Sequence, residues 1–267
     1  MAIDQDVFNF LKIISENGLF PPDRSVLELG EAEWYGDVNP MEILGFIADE
    51  ALRDRVGEEI VQASARLNEA YRKFGQSSLE RYLASVAIAK IFYRHAMKFS
   101  SVEAVDPGFP DRCMDIDLNH EHDIGRRFDV IINNGTAEHV FNIGNVFKFM
   151  HDHTALNGVM IHFMPFQGYV DHGMYNIQPT LYFDMAAEND YGYLIIIKDL
   201  EGGYKVISKR EEIWEMYSGN AIRKNSIIFS LMKKTADRPF KFPIQGIYSR
   251  KFSREQELMW LNHMRDV

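Results

Sequence analysis

Short apolar runs alternate along the chain with stretches whose apolar residues recur at helical spacing, most clearly in its middle. Val130 to Ile132 is an apolar, β-branched run between polar residues, which predicts a strand buried on both faces. Helically spaced apolar residues follow, and Asn157-Gly158 predicts the end of that helix. Val159 to Phe163 predicts a second strand. Strand, crossover helix and strand together predict a parallel sheet with helices on its faces.

The same two spacings predict the remaining elements. Further helices are predicted over Asp4–Asn17, Ser77–Lys98, Pro179–Asn189 and a short stretch around Leu258. Further strands are predicted over Ser25–Gly30, Ser101–Asp106, Tyr193–Ile197 and Ile227–Met232. Residues 39–75 predict two or three more helices, and Asn39-Pro40 is suited to begin the first of them.

Composition narrows the class of protein. The chain has 267 residues, which suits one α/β domain with an elaboration or a small cap. Its formal net charge of -10 argues against nucleic acid as the main partner, because phosphate binding requires clustered Lys and Arg. Cys113 is the only cysteine, so no intrachain disulfide can form. There is no secretory signal and no apolar run near the roughly 20 residues that span a bilayer, so we expect a soluble, cytoplasmic protein without a membrane partner.

Three of the predicted strands end in residues suited to contact a ligand. Glu28 and Gly30 lie at the end of the first strand, and Asp106 ends the second. Asn133 and Asn134 follow the central strand. Ligands of parallel sheets bind beyond the carboxyl ends of the strands, so a binding site is expected at that edge.

Several short segments, in this order, resemble the class I S-adenosylmethionine (SAM)-dependent methyltransferases. They are Ser25–Gly30, Phe128-Asp129, Glu138-His139-Val140 and Leu156-Asn157-Gly158. The resemblance covers roughly residues 25–199, with the predicted helices of residues 39–75 excluded. It implies a doubly wound, mostly parallel seven-stranded sheet with a helical insertion after the first strand. The domains would be an N-terminal helix (1–24), a methyltransferase-like domain (25–235) with its insertion at about 39–75, and a tail (236–267).

The resemblance implies SAM as the cofactor. Glu28 takes the acidic position of the family's glycine motif, and Gly30 takes its first glycine, where a Cβ would clash with the methionine part of the cofactor. The two asparagines after the central strand are assigned to the cofactor as well. Ala32 and Trp34 stand where the family usually has further glycines, which is a departure from the motif.

Two further acidic positions are assigned to the nucleoside part of SAM. Asp106 corresponds to the residue that accepts both ribose hydroxyls, although an Asp before a Pro-Gly pair is also typical of a turn. The family's third strand ends in an acidic residue that contacts the adenine amino group beside an apolar residue. Within Arg112–Leu118, Asp115 with Ile116 fits these positions best.

The methyl acceptor is expected over Asn133–His139 and the loop Pro165–Asn176, which is dense in polar residues. His172 in this loop is a candidate base for an acceptor hydroxyl, and His139 is its rival. Either one is as readily interpreted as an ordinary loop histidine. A small hydroxylated acceptor, such as a sugar or a natural-product intermediate, is the substrate we expect.

Two alternative functions remain open. A methyltransferase-like binding or scaffold protein without catalysis is favoured by the altered glycine motif. Another nucleotide-binding enzyme is disfavoured, because neither G-x-G-x-x-G nor a Walker-type motif is found.

The insertion is interpreted either as a lid or as the interface of a homo-oligomer. No metal is expected at His120-Glu121-His122 or His151-Asp152-His153, because neither has the i, i+4 helical spacing of a zinc motif.

Overall fold

The computed structural model describes residues 2–21, 23–198, 202–222, 224–249 and 252–265. The contacts divide the chain into two units. The first unit comprises Met1–Asp117 and Phe128–Thr136, and the second comprises Leu118–Arg127 and Ala137–Val267. No helix among these described residues is long and apolar enough to cross a membrane.

The elements of the first unit keep the predicted order, except that the strand predicted at Arg112–Leu118 is reduced to a single bridge and two short strands are added. They are β1 (Ala2–Ile3), α1 (Gln5–Glu16), β2 (Ser25–Leu29), β3 (Glu33–Trp34), a 3-10 helix (Pro40–Phe46), α2 (Glu50–Phe74), α3 (Leu79–Ile91), a π-helical turn (Phe92–Ala96), β4 (Ser101–Val105) and β5 (Phe128–Asn134). The short strands β1 and β3 pair in parallel.

The larger strands of the first unit form a parallel sheet in the order β4-β2-β5. Leu29 at the end of β2 pairs with Val105 of β4 and with Asn133 of β5. All three strands therefore end at the same edge, which confirms the predicted parallel arrangement for this part of the chain.

Polar side chains begin the helices of the first unit. Asp4, Asp49 and Ser78 precede α1, α2 and α3, and each accepts a hydrogen bond from the backbone N–H three residues later. Such caps stabilise a helix by about 1 kcal/mol each. Asn39 caps the 3-10 helix by accepting the N–H of Met41, two residues later, and Pro40 occupies the first turn of that helix. The helical insertion therefore begins where the sequence predicted it.

An aromatic cluster forms part of the core of the first unit. Phe8 of α1 lies with its ring centroid 5.9 Å from Trp34 and 5.2 Å from Phe92. Trp34 is 2% exposed, and its indole N–H donates to the carbonyl of Val38. The residue that replaces a usual glycine is therefore a core residue, and the loop after β2 is built around it.

The second unit contains the remaining elements. They are a 3-10 turn (Ala137–His139), α4 (Ile143–His153), β6 (Thr154–Gln167), α5 (Pro179–Asn189), β7 (Tyr191–Lys198), β8 (Tyr204–Val206), α6 (Arg210–Ser218), β9 (Ser226–Lys234) and α7 (Arg254–Arg265). The strand order is β6-β9-β7-β8, and each neighbouring pair is antiparallel. The expectation of a mostly parallel sheet is therefore wrong for this unit, because β9 returns between β6 and β7 and runs against both.

Two local predictions are also wrong. Helix α4 ends at His153 and not at Asn157-Gly158, because the Thr154 hydroxyl bonds the carbonyl of Met150 and the chain becomes extended there. The predicted third strand, Arg112–Leu118, is reduced to a single bridge between Met114 and Val105.

Turns take the place of that third strand. The carbonyl of Phe109 accepts the N–H groups of both Arg112 and Cys113. These bonds bend the chain immediately before Met114, so no ladder can extend through the segment.

Candidate functional site

Gly30 and Asp106 lie side by side at the carboxyl edge of the parallel strands. Gly30 has φ 79° and donates its N–H to the carbonyl of Val105 over 2.6 Å. Asp106 accepts hydrogen bonds from the N–H of Glu31 at 3.4 Å and from that of Gly108 at 3.0 Å. The structure thus places the predicted glycine turn and the predicted acidic residue together, and Asp106 also stabilises the turn that follows it.

Glu28 lies inside the protein. Its side chain is 2% exposed, and the hydroxyl of Tyr93 donates to Oε1 over 2.7 Å. The N–H of Ala32 approaches Oε2 at 3.4 Å. Burial raises the pKa of Glu28 to about 7, although the Tyr93 hydrogen bond opposes the shift. Its carboxyl group is thus engaged by the protein at both oxygens.

Glu31 was missed by the sequence reasoning. It is 3% exposed, and its Oε1 forms ion pairs with Lys90 at 2.7 Å and with Arg112 at 2.8 Å. These three residues help to line a cavity of about 190 Å³ together with Glu28 and Cys113. Lys90 and Arg112 come from distant positions in the chain, so no local pattern pointed to this cluster.

The other predicted cofactor residues are placed differently. Asn134 donates from its amide to the carbonyl of Ala2, and Asn133 accepts from the N–H of Thr136. Both asparagines are buried. Asp115 is exposed and Ile116 is buried, in the segment that lacks the predicted strand.

His139 and His172, treated as rivals in the sequence, meet in the second unit around Glu138. The imidazole centroids are 5.2 Å apart. Nε2 of His139 lies 3.9 Å from Oε1 of Glu138, and Nε2 of His172 lies 3.7 Å from the same atom. We call these three residues the His–Glu cluster.

The loop that carries His172 is held against the Glu138 backbone. The N–H of Met174 donates to the carbonyl of Glu138 over 2.8 Å. A Cβ on Gly173 would lie 2.9 Å from Cγ of Glu138, so only glycine fits there without movement. Tyr169 and Asp171, on the His172 side of this contact, both have positive φ, which is costly for residues with a Cβ. The fold therefore maintains a strained loop that brings His172 to Glu138.

Glu138 is the buried member of the cluster. It is 1% exposed, and neither of its oxygens has a hydrogen-bond partner among the described residues. Burial raises its pKa to about 7, and burial also lowers the pKa of His139. His139 and His172 are half-exposed, so the cluster joins a buried carboxyl group to two accessible imidazoles.

Of the two His pairs that the sequence singled out, the second, His151 and His153, is held inside the protein by hydrogen bonds. His151 bonds the Tyr191 hydroxyl and the carbonyl of Arg238, while His153 bonds the carbonyl of Phe149 and the N–H of Ile124. Both rings are buried at the end of α4, so they are structural helix-end residues and not solvated ones. Within the described part of the chain, the one group of three His, Cys, Asp or Glu side chains arranged to hold a metal ion is the His–Glu cluster.

Comparison with known proteins gives little further information. No family model matches the chain, and no curated protein sequence matches it. Among solved structures, it is similar to an S-adenosylmethionine-dependent methyltransferase from Clostridium acetobutylicum. The two share 14% identity, the alignment covers 55% of this chain and 79% of that chain, and the TM-score is 0.27. The function must therefore be inferred from the residues and contacts of this chain.

Proposed function

We propose that this chain transfers a methyl group from SAM to a small, hydroxylated acceptor, such as a sugar or a natural-product intermediate. The observation that supports the proposal best is the contact between the glycine turn at Gly30 and the carboxylate of Asp106. Parallel register brings the two to one strand edge, which is where sheets of this type bind nucleotides.

The residues at this edge are suited to contact the ribose and the methionine part of SAM. Asp106 is partly exposed, and each of its oxygens accepts one backbone N–H. A carboxylate has about four lone-pair sites, so capacity remains for the two ribose hydroxyls. Gly30 presents backbone without a Cβ beside it. When bound, SAM supplies an electrophilic methyl group.

His139 and His172 are the candidates for the acceptor chemistry. A hydroxyl acceptor must lose its proton as the methyl group is transferred, which calls for a base. Burial lowers the pKa of His139, so its imidazole is neutral and able to accept a proton at neutral pH. His172 lies beside it and is an equal candidate.

A second function, binding without catalysis, is favoured by the loop after β2. Lys90 and Arg112 already neutralise Glu31 there. The cavity of about 190 Å³ is smaller than the roughly 300–1,000 Å³ of typical ligand pockets. In this alternative the altered glycine motif marks a methyltransferase-like scaffold that has lost its cofactor.

Calorimetric titration with SAM and S-adenosylhomocysteine separates the two functions. The wild type should bind both, and Asp106→Ala should weaken binding at least 10-fold, while Asp111→Ala, an exposed carboxylate on the same segment, should bind normally. Circular dichroism would establish that each variant is folded. Failure of the folded wild type to bind either ligand would overturn the enzymatic proposal in favour of the scaffold. Binding would justify a screen of hydroxylated acceptors with SAM that carries a labelled methyl group.

A further inference from the structure

We propose that the His–Glu cluster of Glu138, His139 and His172 is a binding site for one divalent transition-metal ion, with zinc as the best-suited probe. The ligand set is two imidazole nitrogens and one carboxylate oxygen. Three such ligands with an open fourth position are typical of catalytic zinc sites, and the same set also suits non-haem iron.

The distances between the potential ligand atoms are slightly longer than those around a bound ion. Ligands about 2.1 Å from a metal are about 3.0–3.4 Å from one another for angles between 90° and 109°. Oε1 of Glu138 lies 3.7 Å from Nε2 of His172 and 3.9 Å from Nε2 of His139. The potential ligand atoms all lie within 4.8 Å of one another. Small side-chain rotations would therefore complete the coordination.

The unpartnered carboxyl group points to a cation. Glu138 is 1% exposed, and neither of its oxygens accepts a hydrogen bond from any residue that the structure describes. A buried carboxylate that accepts no hydrogen bond is unfavourable, and coordination to a metal is one of the ways in which proteins compensate it. The buried hydroxyl of Tyr182 also has no hydrogen-bond partner among the residues that the structure describes.

The backbone holds the ligands in place before any ion arrives. Glu138 and His139 are neighbours on the 3-10 turn Ala137–His139. The Met174 N–H to Glu138 carbonyl bond fixes the loop that carries His172 against this turn. Gly173 allows the close approach. A preformed site on fixed backbone is what tight metal binding requires.

The exposure of the two imidazoles leaves a face of the site open to solvent. A metal ion there could bind water or a hydroxyl group and lower its pKa towards 7. With the ion bound, the metal would take the place of the imidazoles in deprotonating the acceptor, because a coordinated nitrogen cannot accept a proton. Activation of an acceptor hydroxyl in this way rests on the proposed methyl transfer, whereas metal binding itself does not. The two proposals can therefore fail separately, since one is tested with SAM and the other with the metal alone.

The test is equilibrium binding of Zn²⁺ to the chelator-treated full chain, together with the visible absorption of the Co²⁺ complex. We expect one ion per chain. His172→Asn and Glu138→Gln should each weaken binding by about 100-fold or more, because loss of an outer-shell partner alone costs roughly 10–100-fold. The matched control is the double variant His120→Asn/His122→Asn, which removes two exposed histidines from the same unit.

Three results would overturn the proposal. The first is the absence of stoichiometric binding by folded wild-type protein. The second is loss of binding in the control variant with retention in His172→Asn. The third is anomalous X-ray scattering that locates the bound zinc away from Glu138. Because Glu138 is buried, thermal denaturation of each variant must show a folded chain, and His172→Asn, at a half-exposed position, keeps the test valid if Glu138→Gln unfolds.

Discussion

The hydroxyl of Tyr93 donates a hydrogen bond of 2.7 Å to the carboxyl group of Glu28, and both side chains are almost completely buried. One residue lies in the π-helical turn after α3 and the other in β2. The contact joins a helix to the strand that carries the glycine turn. It also places the carboxyl group of Glu28 in the protein interior, which disfavours its charged form.

Because of Glu28, the free energy of unfolding should therefore fall as the pH rises. In the unfolded chain the pKa of Glu28 is about 4.3, whereas in the folded protein it is about 7. Between these values the folded state holds a proton that the unfolded state has lost, so the stabilisation is full below about pH 4 and is lost as the pH passes 7. Glu28→Gln should remove this dependence, which is on the order of 4 kcal/mol. Urea denaturation at a series of pH values measures it.

The control for this prediction is Glu58→Gln, at an exposed position of α2. Its unfolding free energy should track the wild type at every pH. A constant difference between Glu28→Gln and the wild type from pH 4 to pH 8 would show that Glu28 titrates alike in both states.

The buried Lys234 should stabilise the junction between α4 and β6. It is 1% exposed, and Nζ donates to the carbonyls of His151 at 2.9 Å and Thr154 at 3.1 Å. Lys234→Met keeps the length of the side chain but removes both hydrogen bonds, and the carbonyl of His151 then keeps only the N–H of Thr154. We expect a loss of about 1–3 kcal/mol in the free energy of unfolding, measured with urea.

The exposed neighbour Lys233 provides the comparison for Lys234, because Lys233→Met removes a charge from the same strand without touching those carbonyls. It should change stability by less than about 0.5 kcal/mol. Equal losses in the two variants would mean that the hydrogen bonds of Lys234 contribute nothing beyond its charge.

The local sequence pattern was sufficient to predict most helices and strands, because helix caps and apolar spacing depend on only a few neighbouring residues. The helix Pro179–Asn189 has the predicted bounds, and Ser78 caps α3 close to the predicted start of the helix Ser77–Lys98. The prediction failed where neighbouring segments decide the outcome. Asn157 adopts φ 65° inside β6, where a helix stop was expected, and the pairing of β6 with β9 begins two residues later, at Val159.

The candidate site was predictable only in part, for the same reason. Gly30 and Asp106 follow from strand ends and register, which a sequence pattern contains. The ion pairs of Glu31 and the meeting of His139 with His172 depend on contacts between distant segments. The sequence offered the two histidines as alternatives, and only the structure shows that they surround one carboxyl group.

The positive φ of Gly30 leads to a separate prediction. At φ 79° any residue with a Cβ is strained, by roughly 1–2 kcal/mol for a left-handed conformation. Gly30→Ala should therefore lower stability by about that amount and weaken SAM binding in the same calorimetric titration. Gly36→Ala is the control, since a Cβ there meets nothing within 4 Å and φ is not positive. Reduced stability with unchanged SAM affinity would show that Gly30 forms the turn but does not contribute to SAM binding.

The close approach of Gly173 to Glu138 provides the sharpest test of how the His–Glu cluster is assembled. In Gly173→Ala the new Cβ would lie 2.9 Å from Cγ of Glu138 and 3.1 Å from its carbonyl oxygen, so the loop that carries His172 must move away. Zn²⁺ affinity should fall about 10-fold, as for loss of other supporting contacts around a metal. Global stability should change little, because Gly173 is exposed. Zn²⁺ affinity within twofold of the wild type would mean that the position of this loop does not determine the site.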